Sequence, residues 1–278
     1  MELSIIILNY KSRGLLKQCL RGILLQKLTL SYEIIVIDNH SGDGTDEMMR
    51  NEFQSIQFIQ SGVNGGFAAG NNLGINRSKG KYVLVLNPDI AVLSNAIERM
   101  HQYMEEHKEV GLCAPKLLNP DGTVQTSCRK YQTITTILLR RTPLGGLPWA
   151  KQRLRDFLML DHDHNKNFPV DWVLGACMMV RRSAMDVVGV MDERFFLYFE
   201  DMDWCRRFWQ AGFPVHYLGA EAELVHYHQR LSAENPGLRG FLSYPTRVHI
   251  MSSIKYFSKY YHSPRPHHAM AYGKEERA

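Results

Sequence analysis

The first 110 residues alternate between unbroken apolar runs and segments with helical spacing. Residues 3–8 are apolar apart from one serine and predict a buried strand. Residues 11–25 follow, with Leu15, Leu16, Cys19, Leu20, Ile23 and Leu24 at the three-and-four spacing of one helix face. Residues 33–37, rich in Ile and Val, predict a second strand. Ser41-Gly42-Asp43-Gly44 reads as a turn, after which Thr45 caps a short helix reaching residue 53. A weaker strand is expected at 56–59, a helix at 70–78 and a fourth strand at 82–86, which Pro88 breaks. A further helix is expected to be capped by Ser94 and to end near His107.

Strands that are apolar along their whole length are buried on both faces. Alternating with helices, they predict the α/β class: a mainly parallel sheet flanked by helices, with ligands at the carboxyl ends of the strands. Three polar clusters then share one rim, each just past a strand: Asn9-Tyr10, Asp38-Asn39 and Asn87-Pro88-Asp89.

Beyond Val110 the pattern loosens. Asn119-Pro-Asp-Gly122 signals a hairpin turn. Residues 129–168 read as irregular and basic, 170–181 as a strand and turn around Gly175, and 201–210 as a helix. Two short strands are expected at 213–218 and 222–225. A helix at 246–261 would carry Val248, Met251, Ile254, Phe257 and Tyr261 towards one side. The simplest division is a domain over 1–232 and a basic, aromatic extension over 233–278. The domain divides into a first half at 1–112 and a more variable second half at 113–232.

Composition narrows the classes. With 278 residues, 45% hydrophobic and 22% charged, the chain can bury a full core and is not broadly disordered. A net charge of +5 gives no support for nucleic acid, although residues 129–155 and 238–272 hold basic residues and no acidic ones. Five widely spaced cysteines without a C-x-x-C pair argue against a disulfide framework or thiolate zinc site and for a reducing, cytoplasmic compartment. The start of the chain lacks a basic region and a cleavage site, so a signal peptide is not expected. No apolar stretch approaches the ~18–20 residues of a membrane span.

Candidate chemistry concentrates in few places. Asp38 can accept from a nucleobase or ribose, or merely cap the turn at Ser41 and Asp43. The run from Asn64 through Gly66 to Asn71 and Asn72 is dense in small residues and lets a backbone approach a ligand. It is neither a dinucleotide fingerprint nor a P-loop. Asp89, in a proline-rigidified turn, suits a hard cation such as Mg²⁺, which needs few protein carboxylates beside phosphate oxygens. Glu200, Asp201 and Asp203 follow an aromatic run at a helix start. Three acids exceed what a cap needs, and aromatic neighbours tune a carboxylate as a base. His226 and His228 flank Tyr227 after a strand, and alternation lets only one of them face the site; both could equally be surface histidines. Asp161-His-Asp-His164 reads as a solvated polar loop.

Taken together these residues resemble the family 2 glycosyltransferases, and within them the bacterial rhamnosyltransferase-like branch. The matching pieces are Ser4 to Tyr10, Val36-Ile-Asp38-Asn39 with Ser41 and Asp43-Gly44-Thr45, Asn64 with Gly66-Phe67 and Gly70-Asn71, Asn87-Pro-Asp89, and Phe196 to Arg207. The resemblance implies a GT-A fold and inverting transfer of a sugar from a dTDP-, UDP- or GDP-linked donor. The acceptor would be a glycan or lipid-linked hydroxyl in cell-surface polysaccharide synthesis, with 1–112 the nucleotide-sugar-binding half and 113–232 the acceptor half. Apart from the resemblance, the basic segment 129–155 and the basic, aromatic helix near the end of the chain could meet an anionic acceptor or make peripheral contact with the inner face of the plasma membrane. They could equally be a solvated face packed through its aromatics. The resemblance also implies Asp201 as general base beside Glu200, and Mg²⁺ or Mn²⁺ held by Asp89 and His226. Asn9, Tyr10, Asp38, Asn39, Asn64, Gly66, Asn71, Asn87, Trp172, Gly175 and Ala176 would bind the nucleotide sugar. The stretch from His226 to Ser232 lacks the glycine common in the family, which leaves His226 and His228 as alternatives. A sugar-1-phosphate nucleotidyltransferase would want a glycine-rich basic loop after the first strand, where residues 9–14 hold one glycine. A non-catalytic glycan-binding module would have lost the acids that are present.

Overall fold

A computed structural model describes residues 1–92, 95–227, 243–264 and 266. The amino-terminal half is built as expected. Strand β1 (Leu3–Asn9) is buried at every position and is flanked by β2 (Tyr32–Asp38) and β4 (Tyr82–Leu86), both parallel to it; β3 (Gln57–Gln60) adds outside β2. Side chains alternate across the strand. Ile5 and Ile7 therefore enter a core beneath helices α1 (Arg13–Leu25), α2 (Thr45–Glu52) and α4 (Ala96–Glu106), while Ile6 and Leu8 enter a second core beneath α3 (Gly66–Ile75).

Beyond β4 the sheet becomes mixed. Its order is β3-β2-β1-β4-β10-β6-β11-β5, with β8 (Asn167–Pro169) pairing β11 off that path. Strand β10 (Cys177–Arg181) runs antiparallel to both β4 and β6 (Leu112–Leu118), and β11 (Val215–His226) is parallel to β6. The two short strands expected at 213–218 and 222–225 are one strand, with its register shifted between Leu218 and Glu223. Strand β5 (Ile90–Ala91) pairs with the end of β11, and β7 (Cys128–Arg129) with β9 (Trp172–Val173) makes a separate two-stranded ribbon.

Residues 129–168 are not irregular. Helix α5 (Ile134–Arg141) starts with a capping box: Thr133 Oγ1 accepts from the Thr136 N–H at 2.9 Å, and the Thr136 hydroxyl accepts from the Thr133 N–H at 2.8 Å. A 3₁₀ turn (Pro143–Gly146) leads to α6 (Pro148–Phe157), which begins with proline at its first turn. The Thr-x-x-Thr box lacks the usual Glu or Gln, and the helix is rich in β-branched residues, so neither signal stood out. The Asn119–Gly122 turn is present, with the Asn119 N–H donating to the Thr123 carbonyl at 2.8 Å. Helix α4 is capped at Asn95; the expected cap Ser94 lies outside the described residues. Helix α2 is preceded by Gly44 at φ +78° rather than capped by Thr45.

The remaining helices complete the second core: α7 (Arg182–Val188), α8 (Glu200–Gln210) and α9 (Tyr244–Lys259). The apolar side of helix α9 is divided, with Phe257 packed against the second core. Thr246, Ser252 and Tyr256 are buried, whereas Met251 and Ile254 are exposed.

Candidate active site

Strand register assembles the rim. Asn9 and Asp38 are paired neighbours at the ends of β1 and β2, and Ile7 pairs with Leu86 at the end of β4. Both Asp38 oxygens are engaged: Oδ1 accepts from Asn9 Nδ2 at 3.1 Å and Oδ2 from the Ser41 N–H at 3.1 Å. Asn9 Nδ2 also lies 3.1 Å from Ser41 Oγ and 3.0 Å from Thr45 Oγ1, so this corner is braced from within. Asn39 Nδ2 donates to Asn64 Oδ1 at 2.9 Å and to the Gly66 carbonyl at 3.1 Å, which ties the second rim cluster to the small-residue loop. Tyr10 stands exposed at the edge.

The glycines of that loop meet protein first. Gly66 has φ +86°, and a Cβ there would lie 2.2 Å from the Phe196 carbonyl oxygen. Gly70 abuts Leu8 and Gly74 abuts Ile37 and Ile6, which lets α3 pack close to the sheet. Asn71 is buried in this helix, its amide donating to the Phe67 carbonyl at 3.0 Å.

Asp89 and His226 meet because β5 pairs with the last turn of the long strand. Ile90 is opposite His226, and the Tyr227 N–H donates to the Asp89 carbonyl at 2.9 Å. Asp89 Oδ2 lies 3.3 Å from His226 Nε2, and His226 is 2% exposed, which rules out a surface histidine. His228 lies outside the described residues. Gln125 fixes the imidazole. Its Nε2 donates to the His226 carbonyl at 3.0 Å and to Asn119 Oδ1 at 2.8 Å, so its Oε1, 2.9 Å from His226 Nδ1, is the acceptor. Nδ1 therefore carries a proton, and Nε2 faces the carboxylate. Asp89 Oδ1 is buried without a hydrogen-bond partner. An imidazole nitrogen and a carboxylate turned towards each other, with one carboxylate oxygen unsatisfied, fit a divalent cation such as Mg²⁺ or Mn²⁺. Another group of Glu2, His101 and Glu105 lies at the amino-terminal end of β1, away from this rim, and its Glu105 already binds Lys81 and Lys108.

Asp201 reaches the same rim through β10. The Asn87 N–H donates to the Ala176 carbonyl at 2.8 Å, and the neighbouring Gly175 N–H donates to Asp201 Oδ2 at 3.1 Å. A Cβ on Gly175 would press on the Phe67 ring at 3.2 Å and touch Asp201 Cβ at 3.5 Å, so the three residues pack closely here. Burial raises the Asp201 pKa, opposed by the N–H groups of Met202 and Gly175 and by the charge of Arg129. Glu200 is buried, with Oε2 unpartnered, and burial with the neighbouring Asp201 charge pushes its pKa well up. Asp203 is wholly buried and structural: it accepts from Arg207 Nε at 2.8 Å, Lys259 Nζ at 2.6 Å and Tyr260 OH at 2.8 Å. The three acids thus have three different fates.

Helix α8 is entered through Tyr198 and Phe199, at φ +68° and +73°. Successive left-handed bulky residues are strained and persist only when their surroundings enforce them. Ser252 Oγ donates to the Leu197 carbonyl at 2.8 Å and Lys255 Nζ to the Arg194 carbonyl at 2.7 Å, so α9 clamps this turn. Trp172 is buried, its indole N–H donating to the Lys130 carbonyl at 2.8 Å, and its ring supports the Arg129 guanidinium 5.3 Å from the centroid. Beside the β7–β9 ribbon opens a cavity of about 670 Å³ whose lining includes Lys130, Tyr131, Trp149, Arg153, Asp156 and Asp171. Gln125 and Arg129 were not candidates from the sequence. Nothing local marks a glutamine three residues past a hairpin turn as partner to a histidine about 100 residues later.

Comparison with known proteins identifies the family and the fold. The chain is 30% identical over 210 residues to a low-salt glycan biosynthesis hexosyltransferase of Haloferax volcanii. That match covers 74% of this chain and 61% of the relative, so this chain spans less than two thirds of that protein. It is 27% identical over 214 residues to an N-acetylglucosaminyl-diphospho-decaprenol L-rhamnosyltransferase of Mycobacterium tuberculosis, covering 73% of this chain and 69% of the relative. Its fold superposes on the crystal structure of GalNAc-T7 with UDP, GalNAc and Mn²⁺ at a TM-score of 0.61 and 16% identity, covering 87% of this chain and 47% of the other; this is the GT-A fold. The profile described as Glycosyl transferase family 2 matches residues 4–189, from the first strand of the rim to the end of α7, and the chain belongs to that family.

Proposed function

We propose that the protein transfers a sugar, with rhamnose the leading candidate, from a nucleoside diphosphate to a hydroxyl of a lipid-linked glycan, with inversion at the anomeric carbon. The observation carrying this reading is the run of contacts from Asp89 through Asn87, Ala176 and Gly175 to Asp201, which sets a cation-ready pair and a partly exposed carboxylate on one rim. The raised pKa makes Asp201 a better proton acceptor than an ordinary aspartate, and it takes the acceptor hydroxyl's proton as that oxygen attacks. A bound Mg²⁺ or Mn²⁺ would supply Lewis-acid stabilisation of the departing diphosphate. Asp89 and His226 would hold it, and Asn9, Asp38, Asn39 and Asn64 would shape the nucleotide end of the rim. The cavity beside Trp149 receives the acceptor glycan. Rhamnose and the lipid-linked acceptor follow the M. tuberculosis relative's name, and the cytoplasm is the compartment in which five buried free thiols fit best.

Substitution of Asp201→Asn tests the assignment. Turnover with a lipid-linked acceptor and dTDP-rhamnose should fall by about 10²–10⁴-fold, while Mn²⁺-dependent binding of the nucleoside diphosphate is retained. Full turnover in the variant would remove Asp201 from the role of base.

A further inference from the structure

Two surfaces, one on α9 and one across α5 and α6, reverse the usual placement of apolar side chains. The outward side of α9 and the residues just past it present Met251 (55% exposed), Ile254 (58%) and Tyr261 (80%), while Thr246 and Ser252 are buried. Across α5 and α6, Ile134 (62%), Leu138 (55%) and Trp149 (56%) stand in solvent. Half of the large exposed hydrophobics among the described residues fall in these two stretches. Single exposed apolar residues are ordinary, but a concentration of them marks a surface that meets something.

Charge is segregated in the same way. Residues 129–155 and 238–272 hold 12 of the 33 Lys and Arg residues and none of the 28 Asp and Glu residues. These stretches carry +12, and the rest of the chain −7. Lys151, Arg153 and Arg247 are exposed beside the apolar residues. The two elements adjoin at Arg206, whose guanidinium lies 5.8 Å from the Tyr131 ring, just before α5, and 5.7 Å from the Tyr256 ring of α9. Arg206 is a little over one helical turn from Asp201. No helix among the described residues is long and apolar enough to cross a membrane.

We propose that α5, α6 and α9 dock the protein on the surface of an anionic lipid bilayer. Apolar side chains enter the headgroup boundary while Lys and Arg meet acidic headgroups, the combination that holds interfacial helices. The inference rests on the reading above for its purpose: docking at this junction would bring the Asp201 end of α8 towards a lipid-linked acceptor.

The test is cosedimentation of the full chain with vesicles. Binding is expected to vesicles of equimolar phosphatidylglycerol and phosphatidylethanolamine, not to phosphatidylcholine alone, and to fall as salt rises. The pairs Met251→Glu with Ile254→Glu, and Ile134→Glu with Leu138→Glu, should each weaken it by at least about tenfold. Circular dichroism and the nucleoside-diphosphate thermal shift report whether each variant folds and keeps its donor site; serine replaces glutamate where folding fails. Loss of vesicle binding with the thermal shift intact supports docking, whereas loss of the thermal shift in the wild type counts against the glycosyltransferase reading instead. Absent binding, or equal binding by folded variants, overturns the proposal. A wild-type dimer that these substitutions split, without vesicle binding, overturns it in favour of a second copy covering this surface.

Discussion

His226 and Asp89 face each other across 3.3 Å, and Gln125 decides how. Both ends of its amide are committed, two bonds from nitrogen and one to oxygen, so it cannot flip without losing all three. Ligand orientation by such an outer partner is typically worth 10–100-fold in metal affinity. Gln125→Leu should therefore raise the Mn²⁺ dissociation constant by about 10–100-fold, read by titration calorimetry in the presence of nucleoside diphosphate; an unchanged constant would reduce Gln125 to a packing role. Asp201 makes a second prediction at this scale. Its folded pKa lies above its unfolded value, so between the two the folded state holds the extra proton, and stability falls as pH rises through that window. As a base it must be ionised, so the acid limb of kcat/KM should lie above the ordinary aspartate pKa of about 3.9, and disappear from any residual activity of Asp201→Asn. Glu200, raised further and more deeply buried, is the worse candidate for the base, and Glu200→Gln should leave that limb in place.

At the scale of elements, the site depends on contacts that sequence spacing cannot reveal. The rim clusters at Asn9, Asp38 and Asn87–Asp89 were legible because parallel-sheet topology fixes where strand ends lie, and strand ends carry strong local signals. The fate of the three acids in Glu200-Asp201-x-Asp203 was not, because Asp203 is claimed by Lys259 and Tyr260, more than 50 residues further along, while Asp201 is met by the Gly175 N–H, 26 residues before it. Nor was the small-residue loop: its glycines read as room for a ligand, whereas Gly66, Gly70 and Gly74 make room for Phe196, Leu8, Ile37 and Ile6. The clamp made by α9 was not legible either, because it uses Ser252, Lys255 and Lys259, polar residues whose spacing carries no signal of the partners they meet. Gly66→Ala tests the loop. A Cβ 2.2 Å from a carbonyl oxygen at φ +86° should lower stability by about 1–3 kcal/mol or more, seen as a drop in midpoint in urea. Lys259→Met tests the clamp: it removes one of three partners from a wholly buried carboxylate, and should cost about 1–3 kcal/mol while slowing turnover through a loosened Asp201.

At the scale of the whole molecule, one sheet passes from the parallel strands β1–β4 of the first half into β6 and β11 of the second through the antiparallel insertion of β10. The proposed cation pair joins the two halves of that sheet: Asp89 follows a strand of the first half, and His226 ends the long strand of the second. A ligand gripping both halves stabilises them as a unit by mass action, by about 2.7 kcal/mol at a hundredfold excess over its dissociation constant. Nucleoside diphosphate with Mn²⁺ should therefore raise a single thermal transition. Asp89→Ala should abolish the increment due to Mn²⁺ while leaving any increment due to nucleotide alone, because Asn9, Asp38 and Asn39 sit at the ends of β1 and β2 and their hydrogen bonds do not involve Asp89. Two transitions, of which the ligand moves only the first, would mean that the halves unfold separately. The metal would then act as a nucleotide ligand within one half rather than as a bridge between them.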